Sequence, residues 1–252
     1  MNAKTLFLAW QDKREESRPW FPIGRLDVDD MDTEYPLYRF RYTGGVKRAE
    51  KEAGFPLLIE FPRLGEEYRS SELFPLFQNR VMNRTRPDFA AYLRTLDLPE
   101  EADPIEILSV SGGYRATDTY EVFPQIKKDA DGSFTSRFFL HGWRHVNPSA
   151  QERIDRLKPK EKLYLTLELT NPATGLAVQI QTRDYHMVGW APRYLVPDLT
   201  VAMTEWPGTY EAEVVQINPQ PTPPNQRVLI EMRGRWGQHE PMSSKDFQPL
   251  VD

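Results

Sequence analysis

The chain has 252 residues, 39% of them hydrophobic and 12% aromatic, which supplies the apolar material for packed cores that a disordered chain lacks. Cysteine is absent, so disulfides and thiolate zinc sites are excluded. The formal net charge of −5 speaks against a general nucleic-acid coat, yet residues 1–136 hold 19 Lys and Arg against 24 Asp and Glu while residues 137–236 hold 12 against 10.

The apolar run from Leu6 to Trp10 ends in charges and is too short for a secretory or membrane-spanning segment, so a soluble, cytoplasmic protein is expected. Length and local composition favour two domains, residues 1–130 and 131–252. In the first, Thr5–Trp10, Trp20–Val28 and Leu37–Tyr42 read as an antiparallel sheet, with Arg39 and Arg41 on the exposed face of its third strand. Val46–Ala53 reads as a short helix ended by Gly54, and Leu57–Phe61 as another strand. Helical spacing follows in Ser70–Met82 and in Asp88–Leu96, where Phe89, Tyr92, Leu93 and Leu96 share a face. The acidic segment 97–104 reads as a loop, Ile105–Val110 as a strand, Gly112-Gly113 as a turn rather than an anion site, and Thr119–Phe123 as extended. Arg80, Arg84 and Arg86 read first as ordinary surface and second as a basic patch.

In the second domain, Asp131-Gly132 is a hairpin signal and Phe134–His141 a strand. Asn147-Pro148-Ser149 supplies a helix start, with Ala150, Ile154 and Leu157 on one stripe. Leu163–Leu169 alternates strictly, Asn171–Gly175 turns, and Ala177–Gln181 returns as its partner. Tyr185–Trp190 leads into short helices around Arg193–Leu195 and Asp198–Met203. Tyr210–Ile217 and Arg227–Trp236 flank a Pro-rich loop, and the polar tail 237–252 is expected at the surface. The fold class expected is α+β, mainly β.

Enzyme signatures are missing. His141, His145, His186 and His239 share no metal-ligand spacing, the carboxylate pairs such as Asp29-Asp30 sit in polar contexts, and no G-x-S-x-G elbow, Walker A loop or dinucleotide fingerprint occurs. A non-enzymatic protein without metal or cofactor is expected. Two corners carry sharper chemistry: Gly142-Trp143-Arg144-His145 and Val188-Gly189-Trp190-Ala191-Pro192-Arg193 each set an aromatic ring beside a basic residue. Flat side chains stack on bases and guanidinium groups grip phosphate, so Trp143, Arg144, His145, Trp190 and Arg193 suit a nucleotide pocket. The competing reading makes both tryptophans core residues and ties Arg144 into an internal salt bridge.

The order strand, Gly-Trp-Arg-His corner, helix, strand, Asn171-Pro172 turn, strand, Val188-Gly189 and Arg193 resembles the HIRAN domain over roughly residues 135–236. The resemblance implies a fold similar to an OB-like barrel, and a module that captures single-stranded DNA at a 3′-hydroxyl end. Gly142-Trp143-Arg144-His145 falls on the family's Gly-x-Arg-Tyr corner, with His145 in place of the tyrosine. Thr170-Asn171 falls on its Asn-rich turn, Arg193 on its phosphate-binding basic residue, and Ala173 and Thr174 replace an aromatic and an acid used in end recognition. The first half resembles the small N-terminal domain of HipA-type toxin kinases in Phe21-Pro22-Ile23-Gly24-Arg25-Leu26, Tyr38–Tyr42, Phe55-Pro56-Leu57 and Leu73–Asn79, without a kinase core after it. Together these imply a bacterial accessory protein that binds single-stranded or 3′-end-bearing DNA in repair or phage defence, beside a helicase or nuclease on another chain. The alternative is a protein-interaction or antitoxin-like adaptor that uses the barrel as scaffold.

Overall fold

A computed structural model describes residues 4–14, 18–29 and 36–251. The chain forms two compact units, the first made of Met1–Ala90, Glu100–Gln125 and Met242–Asp252, the second of Ala91–Pro99 and Ile126–Pro241. Both are built on antiparallel sheets with short helices, so the class is α+β with β dominant.

The first unit carries β1 (Lys4–Gln11), β2 (Trp20–Asp29), β3 (Leu37–Tyr42), β4 (Tyr68–Ser70) and β5 (Tyr120–Pro124), in the order β4-β3-β2-β1-β5. Leu6, Leu8, Phe21, Ile23, Leu26, Phe40 and Tyr42 fill its core. Helix α1 (Gly45–Ala53) presents Val46, Ala49 and Ala53 to that core and stops at Gly54. Arg39 and Arg41 are not a plain exposed face. They are partly buried opposite β2, where Arg41 pairs with Asp27 at 2.8 Å and Arg39 with Asp29 at 2.7 Å. Asp27 is itself nearly inaccessible; burial raises its pKa, but bonds from Arg25, Thr5 and Arg41 outweigh that and hold it below the ordinary value.

Several local expectations fail here for physical reasons. Leu57–Phe61 is irregular rather than a strand. Its backbone wraps the Tyr42 hydroxyl, which accepts from Leu58 N at 2.9 Å and donates to Phe61 O at 2.7 Å, while Ile59 points to solvent. Ser70–Met82 shrinks to the single turn α2 (Pro75–Gln78), because Pro75 can only begin a helix. Helix α3 (Phe89–Thr95) forms as expected, with Phe89, Leu93 and Leu96 buried.

Ile105–Val110, read as a strand, is instead the middle of helix α4 (Pro104–Ser111). Asp103 accepts from Ile105 N and Glu106 N, and the Glu106 side chain accepts from Asp103 N, a complete capping box with Pro104 at the first helical position. That box overrides the β propensity of the isoleucines. Asp103→Ala is expected to cost about 1–2 kcal/mol, measured as a shift in the denaturant midpoint at constant slope. An unchanged midpoint would show that the cap is redundant. Arg80, from the possible basic patch, is buried and bound to Asp118 and Gly113 O.

The tail is not merely surface. Met242 and Phe247 are buried in the first unit, and Gly44 N and Gly45 N donate to Gln248 O and Asp246 O. Since α1 has no side-chain cap, these carbonyls satisfy amides at its start that would otherwise lack acceptors.

The second unit contains β6 (Ser133–Phe139), helix α5 (Pro148–Ile154), β7 (Lys162–Asn171), β8 (Gly175–Gln181), β9 (Met187–Trp190), helix α6 (Val196–Glu205), β10 (Glu211–Ile217) and β11 (Val228–Arg235). The strand order is β6-β11-β10-β7-β8-β9. The Asp131-Gly132 signal makes a turn but no hairpin, because β5 pairs with β1 and β6 with β11. The two ends of the six-strand row meet just beyond β6, where His141 and Trp190 exchange both backbone hydrogen bonds at 3.0 Å. That bridge closes the row into a barrel. Phe138, Leu140, Leu163, Val178, Ile180, Val188, Leu199, Val214 and Ile230 are buried in this unit. Along β7 the leucines emerge step by step, from Leu163 at 2% exposure to Leu169 at 73%, so strict alternation marks a strand whose far end leaves the core.

Candidate nucleic-acid interface

The barrel seam brings the two aromatic-basic corners together. Gly142 has a left-handed backbone (φ 67°), and a Cβ placed on it would lie 2.5 Å from Cε3 of Trp190. The Trp190 ring therefore packs directly on the Gly142 backbone, which only glycine permits. From the other side, a Cβ on Gly189 would meet His141 O at 2.6 Å. Each corner thus needs its glycine because the other corner occupies the space.

Trp143, Arg144 and His145 form one turn of 3-10 helix, with His145 N donating to Gly142 O at 2.8 Å. Trp143 is half-buried and donates its indole N–H to Pro224 O at 2.6 Å. Arg144 and His145 are exposed. The Arg144 guanidinium has no ion pair among the described residues, so the internal salt bridge weighed above does not form. Arg193 is half-buried at the start of the 3-10 turn Arg193–Leu195.

The turn between β7 and β8 is organised by Asn171. Its Oδ1 accepts from Ala173 N, Thr174 N and Thr174 Oγ1 at 3.0–3.1 Å, and its Nδ2 donates to Glu168 at 2.9 Å. The amide is engaged at both ends in shaping the turn. Thr170 beside it is exposed.

The residue that sequence reasoning missed is Glu168. Its Oε2 accepts both from Asn171 and, at 2.7 Å, from Trp190 Nε1, so a carboxylate joins the turn to the seam. Burial raises its pKa, but hydrogen bonds from Asn171, Trp190 and Gln179 outweigh it and hold the group below its ordinary value. It is charged at neutral pH. No local signal marks it, since it occupies an outward position of an alternating strand; only the register that sets Thr166 opposite Gln179 and Gln179 opposite Trp190 brings the three together.

Chemically, the seam offers an exposed guanidinium and imidazole, two indoles with their N–H groups held by the protein, and one carboxylate. Cations and rings suit phosphate and bases, and a carboxylate accepts from a hydroxyl while repelling phosphate. Among the described residues no cluster of three His, Asp or Glu could hold a metal, and no helix is long and apolar enough to cross a membrane.

No family model and no curated protein matches the sequence. Among solved structures, a protein from Lactobacillus plantarum is similar over 41% of this chain and 97% of its own, at 17% identity and a TM-score of 0.34. The HIRAN domain of human HLTF is similar over 42% of this chain and 79% of its own, at 17% identity and a TM-score of 0.29. What the site can do has to come from its own geometry.

Proposed function

We propose that the second unit is a nucleic-acid-binding module that takes a single strand of DNA, by its 3′-hydroxyl end, at the barrel seam, within an accessory protein that serves DNA repair or defence beside a separate helicase or nuclease. The observation that carries this is the contact of Trp190 with Gly142, which sets the exposed Arg144 and His145, neither of them in an ion pair among the described residues, beside an aromatic wall. A guanidinium and an imidazole next to aromatic rings are the elements from which single-strand grooves are built. Glu168 adds an acceptor at the place where a terminal hydroxyl could donate, supplying from the strand what the turn residues Ala173 and Thr174 lack.

The test is fluorescence anisotropy with a labelled single strand against a blunt duplex across a salt series. The single strand is expected to bind tighter. Arg144→Ala and Arg193→Ala are each expected to weaken it and to lower the slope of log affinity against log salt by about one. Arg144, the more exposed, should show the larger effect. Affinity and slope that ignore both substitutions would remove the site, and a stable protein complex without DNA affinity at low salt would favour the adaptor reading.

A further inference from the structure

The turn between β8 and β9 presents an unusual group for which the seam has no use. Tyr185 is 86% exposed and has a left-handed backbone (φ 63°), a conformation that costs a bulky side chain energy and persists only where the surroundings impose it. The surroundings here are dense. Thr182 N donates to His186 O at 3.0 Å, Tyr185 N to Thr182 O at 3.0 Å, and His186 N to Thr182 Oγ1 at 3.2 Å. Helix α5 clamps the same turn through Ser149 Oγ, 3.0 Å from His186 Nε2, and through Arg153, whose Nε donates to both Asp184 oxygens. The Arg153 guanidinium holds the Asp184 carboxyl well below the usual carboxylate range and answers its charge. Arg183 is left exposed, without an ion pair among the described residues.

A rigid turn thus spends backbone strain to display an aromatic ring and a free cation to solvent. Packing does not explain it, because the side chain stands almost wholly in solvent. The turn also lies on the same flank as the corner. Helix α5 begins three residues after His145 and holds the turn by its Ser149 and Arg153. Tyr185 is five residues from Trp190, a separation of at most about 17 Å for extended chain. At the 3.4 Å rise of one strand this distance is about five nucleotides, and fewer if the strand is stretched.

We infer that Tyr185 and Arg183 form a second contact for the strand whose end lies at the seam, Tyr185 stacking on a base several nucleotides away and Arg183 meeting its phosphate. The inference rests on the seam reading and goes beyond it by giving the strand a course away from the seam, toward the turn between β8 and β9. A stacked base contributes enough that Tyr185→Ala should weaken binding of an oligothymidylate of about ten nucleotides by about 5- to 100-fold. A thymidine dinucleotide, whose single internucleotide step falls short of that separation even when stretched, should be bound as by the wild type. Tyr185→Phe keeps the ring and should keep the affinity, which separates stacking from a folding defect. Arg183→Ala should lower the salt slope for the long strand by about one and leave it unchanged for the short. Wild-type affinity for the long strand in Tyr185→Ala and Arg183→Ala, alongside weakening in Arg144→Ala, would overturn this second contact alone. Indifference to Arg144→Ala as well, or no binding by the wild-type protein, would overturn the seam reading with it.

Discussion

Gly142→Val is expected to open the barrel at its seam and abolish strand binding with it. The new side chain would begin 2.5 Å from the Trp190 ring, on a backbone whose positive φ a β-branched residue tolerates poorly. Overpacking costs about 1–3 kcal/mol and the left-handed conformation about 1–2 more, so a loss of about 2–5 kcal/mol is expected. For a unit of this size the melting temperature should fall by roughly 10 °C or more, read by near-ultraviolet circular dichroism of the seam tryptophans. The relief cannot come from the backbone, because His141 and Trp190 are tied by both of their hydrogen bonds. Trp190→Ala in the same chain removes the atoms that the valine would meet, so the double variant should lose less than the two single losses added together. Equal stability of Gly142→Val and wild type would show that the two corners do not press on each other.

The second large effect concerns Glu168. Glu168→Ala leaves Trp190 Nε1 and Asn171 Nδ2 without their acceptor, at a cost of about 1–3 kcal/mol, and should loosen the turn between β7 and β8. Glu168→Gln keeps an acceptor oxygen but removes the charge, which isolates the electrostatic part. Two like charges 4 Å apart repel by about 1 kcal/mol even in water, so the wild-type protein should prefer a 3′-hydroxyl to a 3′-phosphate end by about fivefold or more. Glu168→Gln should bring the two ends together. Its pKa is lowered on folding, so the stability it contributes stands in full above the ordinary glutamate value of 4.5 and is lost as pH falls through the lower folded value. From about pH 5 to 8 the end preference should therefore stay flat with respect to this group. Equal binding of both ends by wild type would leave the seam with general strand affinity only.

Strands that alternate and turns built on Gly or Asn-Pro were legible in the sequence, because their signals are local. Helix α4 was not, although Asp103-Pro104 with Glu106 is a local signal too; the isoleucines read as strand when weighed without the cap. Leu57–Phe61 could not be read at all from its own residues, since its course is set by one hydroxyl on β3. The site shows the same division. Each corner announced itself by its glycine, ring and basic residue, but that they touch follows from the closure of six strands. Glu168 and the display of Tyr185 depend on register and on helix α5, which no run of neighbouring residues encodes.

The carbonyls that complete the start of α1 have a consequence for synthesis. A ribosome releases β1 to α1 early, yet the groups that satisfy Gly44 N and Gly45 N, and the Leu250 amide that bonds to Tyr42 O, emerge more than 190 residues later. The barrel, whose strands all lie between them, is fully translated before the unit that encloses it in sequence. The nascent chain can therefore finish its second unit before the carbonyls that complete the start of α1 are supplied.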